Sequence, residues 1–71
     1  MRRFLIVVEK AGNNYSAYSP DLPGCVATAA TPEETKARMQ SAIDMHVRGL
    51  RDDQLPVPEP SATAEYVEVG S

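Results

Sequence analysis

Tyr15-Ser16-Ala17-Tyr18-Ser19-Pro20-Asp21-Leu22-Pro23-Gly24-Cys25 is the stretch whose reading decides the fold. Its first four residues form a strand in which Tyr15 and Ala17 share one face and Ser16 and Tyr18 the other. Two prolines then interrupt ladder donation, and Gly24 supplies a backbone conformation closed to other residues. Ser19-Pro20-Asp21-Leu22-Pro23-Gly24 is therefore a structured turn. The chain resumes as a short, small-residued third strand, Cys25-Val26-Ala27-Thr28-Ala29.

Upstream, residues 3–9 are dominated by Phe4, Leu5, Ile6, Val7 and Val8, a near-continuous apolar run that predicts a first strand central in a sheet or covered on both faces. Ala11-Gly12-Asn13-Asn14 separates it from the second strand, and Gly and Asn suit a tight antiparallel hairpin. Downstream, Thr31-Pro32-Glu33-Glu34 is a helix start: Thr31 caps, Pro32 takes the first helical position, and Glu34 completes a capping box beside favourable N-terminal charge. The helix is expected over residues 32–51, with Met39, Ala42, Ile43, His46, Val47 and Leu50 forming one apolar stripe against the sheet. Gly49 should weaken its last turn. Asp44 and Arg48 form a surface pair four residues apart.

Leu55-Pro56-Val57-Pro58-Glu59-Pro60 then alternates proline and reads as a semi-rigid extended strap. In residues 64–69, Ala64-Glu65-Tyr66-Val67-Glu68-Val69 mixes charged and apolar residues as a half-buried fourth strand does. The order is β-β-β-α-β. Residues 1–71 are thus expected to form a single α+β domain, with one long helix packed on a mainly antiparallel four-stranded sheet whose other face stays uncovered.

At 71 residues the chain is small for a self-sufficient core. One cysteine and one histidine leave little scope for disulfides or a structural metal, so a homodimer or higher oligomer is expected. A net charge of −3 and a pI near 4.9 argue against nonspecific binding to nucleic-acid phosphates and favour a basic partner. The apolar run after Arg2 and Arg3 is too short for a signal-peptide core or a membrane span, which points to the cytoplasm.

Catalytic chemistry finds little support. No CxxC or HxxxH spacing exists, and no cofactor is expected. His46, on the apolar stripe, reads as a packed histidine pointing toward the core rather than a general base, and Cys25 as a small buried thiol rather than a nucleophile. Glu9, Asp21 and Asp44 are the carboxylates a metal-dependent nuclease would need, yet nothing in their spacing brings them together.

The turn from Tyr15 to Cys25, the Ala27-Thr28 strand, the Thr31-Pro32-Glu33-Glu34 start, the late helix from Ala42 to Leu50, the proline strap and the Tyr66-Val67-Glu68-Val69 tail together resemble the HicB antitoxin family. The resemblance implies a degraded RNase H-like fold without a working nuclease site. It also implies a partner: a HicA-like toxin, small and basic, that cleaves mRNA with a histidine and whose active site the antitoxin masks. An acidic antitoxin suits a basic toxin. Many members of that family continue into a DNA-binding domain, and no direct DNA binding is expected of these residues. A residual RNase H-like nuclease and an RNA-binding protein are the alternative readings.

The expected toxin-binding residues are Tyr18, Asp21, Leu22 and Pro23, with Gly24 and Cys25 setting the turn that presents them. Prolines restrict this turn before a partner arrives, Asp21 offers charge and Leu22 an apolar anchor. Two alternatives stay open. The turn could be a connector with Leu22 packed inward, or the interface could lie on the fourth strand around Tyr66 and Glu68.

Overall fold

A computed structural model describes residues 2–70. The elements are β1 (Val7–Ala11), β2 (Asn14–Tyr18), β3 (Val26–Ala29) and α1 (Pro32–Asp52). The strands lie in the order β1-β2-β3, each antiparallel to its neighbour. This is an α+β fold with three strands among the described residues, not the expected four.

The hairpin fixes the register. Ala11 pairs with Asn14, leaving a two-residue loop in which Gly12 takes φ +62, as a tight turn with glycine in its first central position requires. Counting back, Val7 meets Tyr18. Beyond Tyr18 the Ser19-Pro20 bend carries β2 away, so residues 2–6 find no strand partner there. The first strand therefore runs from Val7 to Ala11 rather than over residues 3–9. In place of ladder bonding, the buried Ser19 hydroxyl donates to the Leu5 carbonyl at 2.8 Å. Apolarity at Phe4 and Ile6 serves packing against the core under the helix instead of a strand covered on both faces.

The helix starts as its sequence dictates. Thr31 is extended, and its Oγ1 accepts from the Glu34 N–H at 3.1 Å. The capping box is only half formed, because Glu34 Oε1 accepts from the Thr31 hydroxyl at 3.2 Å. The closing turn is a Schellman motif: the Leu55 N–H reaches the Leu50 carbonyl at 2.8 Å and the Gln54 N–H reaches Arg51 at 3.0 Å. Gln54 occupies the left-handed position, φ 57, where glycine is usual. This cap carries the helix through Gly49 to Asp52.

The core is compact: Ala17, Leu22, Cys25 and Met39 are buried together, with Phe4, Ile6, Ala27, Ala42 and Ile43 packed around them. On the helix, Thr35 and Met39 are the fully buried side chains. Thr35 is absent from the expected stripe. It is tolerated there because its hydroxyl donates to the Thr31 carbonyl at 2.7 Å, which removes the penalty of an unpaired buried group.

After the helix the strap returns along the N-terminal segment, where Arg2 and Glu59 form an exposed ion pair at 3.1 Å. Residues 64–69, expected as a fourth strand, form no strand and join no sheet among the described residues. Tyr66 is fully exposed, and Val67 and Val69 are about four-fifths exposed. Among the described residues no helix is long and apolar enough to cross a membrane.

Met39→Ala should lower unfolding free energy by about 2–5 kcal/mol, because so few neighbours can collapse into the space; urea denaturation checks it. Gln54→Gly should raise stability by about 0.5–1 kcal/mol by relieving the left-handed backbone, seen as a melting midpoint higher by a few degrees.

Candidate protein-binding surface

Two turns stand back to back between β2 and β3. The Leu22 N–H bonds the Ser19 carbonyl at 3.1 Å, and the Cys25 N–H bonds the Leu22 carbonyl at 3.1 Å. Each turn places proline at its second position, Pro20 in one and Pro23 in the other, which presets φ. In the second turn Gly24 takes φ +84, the signature of a type II turn. Cys25 therefore belongs to the turn, and β3 begins at Val26 rather than at Cys25.

This geometry divides the expected toxin-binding residues. Leu22 is fully buried against the core and is not an anchor offered outward. The reversal between the two turns aims its side chain under the helix. Cys25 is buried as well, and burial pushes its thiol pKa up, keeping it protonated and unreactive. Tyr18, Pro23 and Gly24 remain at the surface.

Asp21 has a structural engagement. Its carboxylate accepts from the N–H groups of Ser61 and Ala62, both at 3.2 Å, and from the Ser61 hydroxyl at 3.1 Å. The Ala62 N–H is the main cause holding this carboxyl below its ordinary value; partial desolvation opposes it, and the Ser61 bonds add to the lowering. Asp21 thus fastens the strap to the turn instead of presenting a free charge.

The open face of the sheet carries an apolar row. Residues directly opposite in an antiparallel pair share a face, and Val7, Tyr18 and Val26 stand opposite one another across all three strands. The next register, Glu9, Ser16 and Thr28, is polar. Ala17 and Ala27 occupy the other face, beneath the helix. Tyr18 is 44% exposed and Val26 65%. At the start of β3 this row meets a shallow cleft of about 220 Å³, lined by Gly24, Cys25, Val26, Ala42, Met45 and His46. Met45 is 73% exposed, and His46 is half-buried in the cleft wall rather than packed inside the core.

Sequence reasoning does not single out Val26 or Met45. Alternation along Cys25-Val26-Ala27 is the available signal for Val26, since a buried Ala27 sends Val26 to the opposite face. Met45 lies off the helical stripe, and no sequence signal marks it as more than a surface residue. Among the described residues no group of three His, Cys, Asp or Glu side chains could hold a metal. Of the three carboxylates, Asp21 is bound to the strap, Asp44 pairs with Arg48 at 3.2 Å and Glu9 lies on the open sheet face.

Because the folded pKa of Asp21 is depressed, its hold on the strap is complete above the unfolded value near 3.8 and is lost as pH falls through the lower folded value. In an acid titration followed by NMR, the Ser61 and Ala62 amides should move together with a midpoint below 3.8. Asp21→Ala should put both amides in their released positions at neutral pH. Unmoved amides in either experiment would show the strap held by other contacts.

Comparison with known proteins places this architecture. A family model described as a HicB-like antitoxin of bacterial toxin-antitoxin systems matches residues 4–70. An uncharacterized 14.9 kDa protein of Haemophilus phage HP1, from its rep-hol intergenic region, is 29% identical over 62 residues, covering 87% of this chain and 47% of the phage protein. A Helicobacter pylori UPF0150 protein is 37% identical over 49 residues, covering 69% of this chain and 68% of that protein. The chain thus spans about half the length of the phage relative. No solved structure matches. With the family model covering nearly every residue, including both proline turns, the helix and the strap, the chain belongs to the HicB-like antitoxin family.

Proposed function

We propose that this chain is a non-catalytic antitoxin that binds a small, basic, HicA-like mRNA-cleaving toxin and masks its active site. The observation that carries the reading is the apolar row on the open sheet face, Val7, Tyr18 and Val26, lying beside two proline turns in a chain of the HicB-like family. An exposed aromatic flanked by aliphatic residues on a preordered backbone is what a protein partner uses as an anchor, since little conformational entropy remains to be lost on docking.

The contact surface is centred on Tyr18 and Val26, with Pro23 and Gly24 at the turn and Met45 across the cleft. Tyr18 contributes area and a hydroxyl; Val26 and Met45 supply apolar surface that adapts to the partner. Leu22 and Cys25 act from within by fixing the turn, and Asp21 by holding the strap. The net charge of −3 supports attraction to a basic toxin and competes with RNA for the same partner surface.

The test separates folding from binding. Tyr18→Ala and Val26→Glu change exposed side chains and should leave the circular dichroism spectrum of the parent intact. Each should weaken binding to the co-encoded basic toxin at least about tenfold, about 1.4 kcal/mol, and fail to protect cells expressing it. Parent-like binding and protection by both variants would move the interface off this face.

A further inference from the structure

We propose that the groove between the N-terminal segment and α1 binds an extended acidic peptide of another protein, one that carries apolar side chains between two carboxylates.

Two neighbouring cavities make up the groove. They share Arg2, Phe4, Gln40 and Ile43, and their volumes are about 250 and 570 Å³. Phe4 and Ile6, both packed against the core, form one wall, while Ile43 and Val47, one turn apart on α1, form the other. All four side chains are only half-buried. The groove therefore has an apolar floor that the chain's own packing leaves partly open.

Cations stand along it from end to end. Lys36 lines the smaller cavity and Arg51 the larger, and Arg2 lines both. These are three of the chain's seven Lys and Arg residues, gathered at one groove of a molecule whose net charge is −3. Among the described residues neither Lys36 nor Arg51 forms an ion pair, whereas Arg2 holds Glu59 at 3.1 Å. Asp44 also lines the larger cavity, with its carboxylate engaged by Arg48 at 3.2 Å. A positive spot on a negative chain attracts an acidic partner and not the basic toxin proposed for the sheet.

Length selects the kind of partner. At about 1.5 Å of rise per residue, the path along α1 from Lys36 to Arg51 is roughly 22 Å. An amphiphile with a single anionic head satisfies one end only. An extended peptide covers the distance with about seven residues at about 3.3 Å each, and its alternate side chains point the same way. Carboxylates at its two ends then meet Lys36 and Arg51, and apolar side chains between them rest on Phe4 and Ile43. The strap shows this chemistry within the molecule itself, since a proline-rich segment runs along the N-terminal residues and places the Glu59 carboxylate on Arg2. The groove is on the helix side of the sheet, away from Tyr18 and Val26 on the open face.

The test uses the full chain and a fluorescein-labelled peptide with blocked ends, Asp-Ser-Leu-Ser-Phe-Ser-Glu. Saturable binding is expected below about 1 mM. It should weaken severalfold between ionic strengths of about 0.01 and 0.15 M, as the rim charges are screened. Amide shifts should move at Phe4, Gln40 and Ile43 and stay in place at Tyr18 and Val26. Lys36→Gln combined with Arg51→Gln should weaken binding at least about tenfold with a parent-like circular dichroism spectrum, because both side chains are exposed. Replacing Leu and Phe of the peptide by Ser should weaken it as much. The proposal is overturned if the peptide does not bind at that concentration, or if its shifts map to the open sheet face. Binding unchanged by the double variant or by loss of the apolar side chains overturns it as well. Displacement of the peptide by hexauridylate would do the same, assigning the groove to RNA.

Discussion

Burial of Leu22 between two proline turns is the constraint on which the rest of the structure depends. A connector between antiparallel strands normally lies on the surface with its side chains in water. Here the chain reverses twice within seven residues, each reversal closed by one main-chain bond, and the single residue shared by both turns is driven under the helix. Met39 and Ala17 complete the cluster. Since Leu22 cannot move without unpicking both turns, Ser19, Asp21 and Cys25 are positioned with it. One of them ties the N-terminal segment, another the strap, and the third fills the base of the cleft.

That arrangement explains how so small a core supports an ordered open face. The proline turns reduce the freedom of the unfolded chain as well as that of the native one, so order at the end of the sheet does not rest on buried area alone. The open-face row inherits this order, because Tyr18 and Val26 are the residues immediately before and after the Ser19–Cys25 segment. The polar register beyond them, Glu9, Ser16 and Thr28, confines the apolar surface to that end.

Much of this is legible in the sequence, and the exceptions share a cause. The hairpin, the Thr31 cap and the helix from Pro32 rest on local chemistry, which nearby residues determine. The alternation of Tyr15, Ser16, Ala17 and Tyr18 likewise gives both faces of β2. The start of β1 is not legible, because it depends on where the partner strand bends away, at Ser19-Pro20. A turn is ordinarily exposed, which makes Leu22 read as an outward anchor; its inward aim emerges only once two consecutive turns share it. Thr35 escapes the pattern because a hydroxyl breaks the apolar stripe, and its bond to the Thr31 carbonyl makes the burial acceptable. The tail carries a strand pattern without a strand partner among the described residues. A pattern states what a segment can pair with, not where that partner is.

The strap has a consequence for the order in which the molecule assembles. β1, β2, β3 and α1 are neighbours in space in the order in which they occur in the chain, so each can dock on the element formed just before it, with short loops to close. The strap differs: its contacts join residues separated by 40 and 57 positions. Closing so long a segment costs chain entropy before any bond repays it, and the few exposed bonds at Asp21 and Arg2 repay little. The sheet and helix are therefore expected to form as a rapidly folding unit of low contact order, onto which the strap closes as a late, easily reversed step. Local opening of the native protein should begin at this seam, well before the helix lifts from the sheet.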